Sequence, residues 1–275
     1  MPLCSINNSK CVLIIGATAG IGRALALSIH ALPSRPTVIV TGRRQDRLDE
    51  LAALSEQDGR GKMAAVQLDI GGSRDDVVQS IQNIIDTYPE LQWQLDAVVF
   101  SAAVQHVVDF RNPESIDLDA LLAEINLNYA TVITMMVKCF VPHFLKLGEQ
   151  GHRCLVIPIT SGLGIVPAPW VPNYSATKAA LHSLSLSMNV QLREKNIHVI
   201  EISPPLVESE LHDHQGTSEK LSKFWMPLEI FTSAAMEGLQ RGEDHVTVGS
   251  ATSAFERFEK GKLDVAKGYY ESGRA

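Results

Sequence analysis

A phenol and an ammonium stand four residues apart in the run Asn173-Tyr174-Ser175-Ala176-Thr177-Lys178, and a hydroxyl, Ser161, lies 13 residues upstream of the phenol. On a helix, positions i and i+4 share one face. An ammonium held beside a phenol favours the phenolate and pulls its pKa from about 10 toward neutrality. Such a phenol can give a proton to a carbonyl oxygen or take one from an alcohol. A Y-x-x-x-K spacing also arises on ordinary helix surfaces, with a half-buried tyrosine and a solvated lysine. The chemistry therefore depends on whether the rest of the chain supplies a hydride donor.

The elements that must position these groups are written in the hydrophobic pattern. Short apolar runs fall at 11–16, 36–41, 63–69, 95–101, 153–160, 197–203 and 245–249. They are rich in Val and Ile and lack polar alternation, as strands covered on both faces do. Helical patterns lie between them at about 20–31, 44–57, 73–88, 116–147, 173–195 and 227–241. This alternation predicts an α/β fold, a doubly wound parallel β-sheet flanked by helices on both faces. No internal repeat or long linker divides the chain, so residues 1–275 read as a single domain. Residues 204–226 are polar, opened by Pro204-Pro205 and closed by Pro227. An insertion after a strand's C-terminal end suits a substrate lid, here about 204–228.

Composition narrows the function. The 275 residues are 45% hydrophobic and 20% charged, with a net charge of −7 and a pI near 5.7. That balance excludes a basic nucleic-acid surface. The four cysteines form no C-x-x-C pair, and Cys11 and Cys154 sit in strand-like runs. Buried free thiols in a reducing, cytoplasmic compartment are expected. The first ten residues carry no signal-peptide hydrophobic region. The apolar stretch 130–147 is interrupted by Lys138, Pro142, His143 and Lys146, and reads as a buried helix rather than a membrane span. His212-Asp213-His214 lacks a third spaced ligand and does not read as a metal site.

The first strand runs directly into Gly16-Ala17-Thr18-Ala19-Gly20-Ile21-Gly22, and then a helix begins. Glycine allows a tight turn and close backbone approach, and a helix N-terminus offers free N–H groups to a pyrophosphate. The spacing is G-x-x-x-G-x-G rather than G-x-G-x-x-G.

Together these residues resemble one family, the short-chain dehydrogenase/reductases in their compact branch. That family's pattern is T-G-x-x-x-G-x-G, an N-N-A-G segment after the fourth strand, a catalytic Asn, then Ser and Y-x-x-x-K. The resemblance runs from about residue 10 to 210 and implies a Rossmann-like fold. It puts Gly16, Thr18, Gly20, Ile21 and Gly22 at the cofactor pyrophosphate. The second strand ends Val40-Thr41-Gly42-Arg43-Arg44, with no acidic residue near Gly42 to accept from a ribose hydroxyl. The Arg43–Arg44 pair suits a 2′-phosphate, although two arginines could also simply stand exposed at a helix start. Asp69-Ile70 matches the adenine contact, and Asp69 could equally cap a helix. Ala102, Tyr174, Lys178, Pro204, Val207 and Ser209 complete the implied cofactor site. The favoured cofactor is NADP(H) over NAD(H).

The catalytic set implied by the resemblance is Asn126, Ser161, Tyr174 and Lys178. Tyr174 would protonate the carbonyl oxygen, Lys178 would lower the phenol pKa, and Ser161 would donate a second hydrogen bond. Asn126 would hold a water linking Lys178 to solvent, with Asn128 as the competitor for that role. The almost wholly apolar segment 162–172, with Leu163, Val166 and Trp170, suggests an apolar or aromatic substrate. Leu211 and Trp225 of the lid would complete the pocket. Phe100-Ser101-Ala102-Ala103 stands where N-N-A-G is usual, and Pro204-Pro205 replaces Pro-Gly. The implied activity is that of an NADPH-dependent carbonyl reductase, reversible as an alcohol dehydrogenase. A non-redox isomerase or lyase on this scaffold and a catalytically silent NADP(H)-binding protein are the alternatives. The family commonly assembles as homodimers or homotetramers through the helices here at 116–147 and 173–195.

Overall fold

In the first strand, β1 (Cys11–Ile15), every residue is buried. A strand covered on both faces must lie inside a sheet, and the computed structural model places it there. The structure describes residues 4–58, 62–87, 95–216 and 218–273. Around β1 stand β2 (Thr37–Gly42), β3 (Met63–Gln67), β4 (Leu95–Phe100), β5 (Cys154–Pro158) and β6 (Ile197–Val199). All pair in parallel, in the order β3-β2-β1-β4-β5-β6.

The run predicted as one strand at 197–203 changes partners midway. Ile200 still donates to Val156 O (2.9 Å), whereas Glu201 donates to Asp244 O (3.0 Å). The chain then continues as β7 (Glu201–Ser203) beside β8 (His245–Thr247). An Ile159–Ile202 bridge ties β7 back to the end of β5.

Successive residues of β1 face opposite layers. Val12 and Ile14 pack with α1 (Gly20–His30), α2 (Gln45–Asp58) and α7 (Leu228–Arg241). Cys11, Leu13 and Ile15 pack with α3 (Arg74–Thr87), α4 (Leu118–Glu149) and α5 (Pro172–Leu192). A short α6 (Ser218–Leu221) precedes α7. Two further helices, α8 (Ser250–Phe258) and α9 (Lys262–Ser272), close the chain, and α9 packs on α5.

The 32 residues of α4 are long and apolar enough to cross a membrane by length and composition. The expectation of a buried helix over 130–147 is met on one side only. Met135, Phe140, Phe144 and Leu147 are buried, while Val137 is 59% exposed. Leu118 and Leu122, nearer its start, also face outward. Within α4 the backbone widens into π turns at Asn126–Ala130 and Met136–Phe140. Each adds a residue to a turn and rotates the residues beyond it by about 100° relative to an uninterrupted helix.

Phe140 is fully buried and meets the ring of Phe100 edge-on, with centroids 5.6 Å apart. We expect Phe140→Ala to cost about 3–5 kcal/mol. A lowered urea midpoint with unchanged slope would record it.

Candidate active site

The site is built where β1, β4 and β5 end. Ile15 O accepts from both Ser101 N (2.9 Å) and Ala102 N (3.0 Å), which draws the segment after β4 against the glycine turn. Gly16 has φ +91°, and a Cβ there would stand 2.5 Å from Ala102 N. A Cβ on Gly22 would stand 2.0 Å from Gly16 O. The residues at both positions must therefore lack a side chain for the turn to close. The N-cap of α1 is Ala19, which has no side-chain acceptor, so the first N–H groups of α1 remain available to an anion.

Beside this turn, Thr18 Oγ1 accepts from Arg44 Nε (3.3 Å) and Nη2 (3.1 Å). Arg44 Nη1 also meets Glu210 Oε2 at 2.5 Å, and Arg47 Nη2 lies 3.6 Å from Glu210 Oε1. Of the guanidinium pair read from sequence, Arg44 makes these contacts, Arg47 stands nearby, and Arg43 lines the same cavity. Asp69 Oδ1 accepts from Gly71 N (2.9 Å), so it braces its own turn. Ser73, not Asp69, accepts at the start of α3, from Asp76 N at 3.2 Å.

These residues border a cavity of about 890 Å³ that reaches from Arg43 to Tyr174. Every residue assigned to the cofactor from sequence lines it except Gly22, which serves the packing of the turn. Of the substrate residues, Leu163, Val166, Trp170 and Leu211 line it, and Trp225 does not. Trp225 N closes the turn after α6 by donating to Leu221 O (3.0 Å). Met226 donates to Leu206 O (2.8 Å) and packs on the core, which turns its neighbour Trp225 away.

At the far end stand the phenol and ammonium. Tyr174 sits in the first turn of α5 and Lys178 in the next. Ser161 hydrogen-bonds Tyr174, and its Oγ accepts from Leu163 N at 3.1 Å. Lys178 Nζ donates to Ile159 O (2.8 Å) and lies 5.5 Å from the Tyr174 ring centroid. Burial raises the phenol pKa above its usual value; the Ser161 bond opposes this and the Glu124 charge adds to it. Burial thus outweighs the depression of the phenol pKa expected from Lys178. Burial lowers Lys178 to about 8, against the pull of Glu124 and Glu201.

The asparagine assignment needs correction. Asn126 is exposed, whereas Asn128 is 1% exposed. Asn128 Oδ1 accepts from Val104 N (2.9 Å), and its Nδ2 donates to Val104 O (2.8 Å) and Thr177 Oγ1 (3.2 Å). It thus joins the segment after β4 to the helix bearing Tyr174 and Lys178. The π turn that contains both residues turns the second one inward. Two buried carboxylates, Glu124 and Glu201, and the buried His182 escaped the sequence reading. His182 stands four residues after Lys178, the same spacing that singled out Tyr174, and that is the signal that could have found it.

The profile described as "short chain dehydrogenase" matches residues 10–220. The chain is a short-chain dehydrogenase/reductase. It is similar to "Uncharacterized oxidoreductase DltE" of Bacillus subtilis, with 31% identity over 88% of each chain. It is also similar to "Sulfoacetaldehyde reductase 2" of Chromohalobacter salexigens, with 26% identity over 80% of this chain and 84% of that one. Among solved structures, a short-chain dehydrogenase from Sphingobium yanoikuyae in complex with NADPH superposes with TM-score 0.76. It shares 20% identity over 95% of this chain and 94% of its own. A Burkholderia phymatum short-chain dehydrogenase/reductase in complex with NAD gives TM-score 0.78 at 15% identity, covering 95% and 96%. Family membership makes the protein an NAD(P)-binding oxidoreductase acting on alcohol or carbonyl groups.

Asn128 and Asn126 are separable by substitution. We expect Asn128→Ala to leave Val104 N without its partner and to cost about 1–3 kcal/mol. Asn126→Ala should shift stability by under about 0.5 kcal/mol, since its side chain is exposed. Thermal melts of the two variants side by side check this.

Proposed function

We propose that this short-chain dehydrogenase/reductase is an NADPH-dependent carbonyl reductase, reversible as an alcohol dehydrogenase, for an apolar or aromatic substrate. The observation that carries the reading is one continuous cavity with the glycine turn and two arginines at one end and Ser161, Tyr174 and Lys178 at the other. When bound, a nicotinamide cofactor supplies the hydride. Tyr174 gives its proton to the substrate oxygen, where the electron pair of the C=O bond collects. Ser161 donates a second hydrogen bond to that oxygen and holds it in line. Lys178 keeps a positive charge beside the phenol. Asn128, rather than Asn126, holds the wall at Val104 against α5 so that these groups keep their spacing.

Three features support the phosphorylated cofactor. The Gly16 and Gly22 cradle fits a dinucleotide, Arg43 and Arg44 line the cavity, and Gly42 supplies no carboxylate for a ribose hydroxyl. A phosphate reaching Arg44 would compete with Glu210 for its guanidinium. Leu163, Val166, Trp170 and Leu211 support an apolar substrate. The outward Leu118, Leu122 and Val137 of α4 support assembly as a homodimer or homotetramer.

Tyr174→Phe should lower carbonyl reduction by about 10²–10⁴-fold while NADPH still binds. Retained turnover in that variant removes the proton-donor assignment, and NADPH binding without turnover by the wild type favours a silent binding protein. Arg44→Ala should weaken NADPH binding by about 10–100-fold and leave NADH binding within a few-fold. Fluorescence titration with the two cofactors measures it. Lys178 is charged below its lowered pKa of about 8 and loses the charge as pH rises through it. The kcat/KM for reduction should accordingly fall on a basic limb near pH 8.

A further inference from the structure

One buried cluster lies behind the site and takes no part in the reaction above. His182 is one helical turn beyond Lys178 on α5. Its Nδ1 lies 2.8 Å from both carboxylate oxygens of Glu201, and its Nε2 lies 3.0 Å from Glu259 Oε2. A ring nitrogen facing a carboxylate must carry a proton to bond it, and here both nitrogens do. With both carboxyl groups ionised, that geometry places an imidazolium between them.

The two carboxylates belong to different parts of the molecule. Glu201 stands on β7 and accepts from Thr160 Oγ1 (2.5 Å) and Ser203 Oγ (3.2 Å). Thr160 precedes Ser161 in the chain, so Glu201 is bonded to the strand end that carries the site hydroxyl. Glu259 stands just after α8, and its Oε1 accepts from Lys262 Nζ (2.6 Å) at the start of α9. Meanwhile α8 forms part of the cavity wall through Ser250, Ala251 and Ala254. A Cβ on Gly162 would stand 3.0 Å from that of Ala251, so α8 presses directly on the turn after Ser161.

We propose that His182 is a positioning residue that clamps the C-terminal helix pair to the active site, fixing the wall that Ala251 and Ala254 give the substrate. The clamp joins three elements through one cation: the helix of Tyr174 and Lys178, the strand that supports Ser161, and the tail. It makes α8 part of the substrate site and joins α9 to it through Glu259 and Lys262. The proposal rests on the reading of the cavity as a carbonyl-reductase site, and adds a determinant of which substrates fit.

The clamp carries a pH dependence. The titratable and charged groups around His182 are Lys178 on its own helix, Glu201 on β7, His245 on β8, Glu259 after α8 and Lys262 of α9, which acts through Glu259. Burial alone would lower the His182 pKa, but the bonds and charge of Glu201, then of Glu259, raise it to about 9. A raised folded-state value means the clamp's stabilisation is complete below the unfolded value near 6.5 and is lost as pH rises through about 9.

Hydrogen exchange across 250–272 tests the clamp without depending on turnover. In the wild type these helices should be protected at pH 7 and lose protection above about pH 9. Glu259→Ala leaves the His182–Glu201 pair in place, so the core still folds. It should speed tail exchange at least tenfold at pH 7 and abolish the added loss above pH 9. With NADPH bound as tightly as before, KM for a bulky apolar ketone should change several-fold while kcat moves less. His182→Gln should loosen the tail in the same way, and Glu259→Gln, which keeps an acceptor, should do so less. Unchanged tail protection in Glu259→Ala overturns the clamp even if the enzyme reduces carbonyls normally. A wild type that reduces no carbonyl overturns the reading of the site, while the exchange result stands on its own.

Discussion

The ammonium of Lys178 is the constraint around which the site is arranged. Its side chain is almost wholly removed from water, and an unpaired buried cation costs several kcal/mol. One backbone carbonyl, Ile159 O, takes its hydrogen bond. Two buried carboxylates, Glu124 on α4 and Glu201 on β7, raise its pKa from a distance. Each support comes from a different part of the fold, and together they offset part of the burial that lowers the lysine pKa to about 8. The phenol next to it feels the same low-dielectric surroundings with the opposite sign: burial that weakens the ammonium also disfavours the phenolate.

The other end of the cavity solves a different problem. There the backbone itself must approach a ligand, and glycine at 16 and 22 removes the atoms in the way. The segment Phe100-Ser101-Ala102-Ala103 carries no asparagine, yet it is still held. Backbone N–H groups of Ser101 and Ala102 reach Ile15 O, and Asn128 takes both polar groups of Val104. Main-chain bonds to β1 and the Asn128 side chain together brace this segment after β4.

Much of this was legible from residue types. Short runs rich in Val and Ile, alternating with helical patterns, read as strands covered on both faces, so the parallel sheet was readable, as were the glycine turn and the Ser161–Tyr174–Lys178 spacing. Sequence was silent where the answer depends on three dimensions. Glu210 meets Arg44 across 166 positions of chain, and Glu259 meets His182 across 77. Nothing local marks either pair. The strand read at 197–203 looked continuous because its apolar pattern does not change where its partner does. Trp225 looked like a pocket residue because its size, not its direction, is visible in sequence.

Asn126 failed for a subtler reason. Residue spacing translates into direction only while a helix keeps one pitch, and α4 changes pitch twice. With two widened turns, the residues beyond Phe140 are offset from the first turns of α4 by about 200° relative to an unbroken helix. The helix therefore behaves as three short segments with separate phases, and Phe144 and Leu147 of the last are still buried against the sheet. An equivalence drawn between this helix and a relative's by counting residues or by matching letters breaks at each widened turn. It holds only when drawn segment by segment, by the side of the helix on which each residue stands.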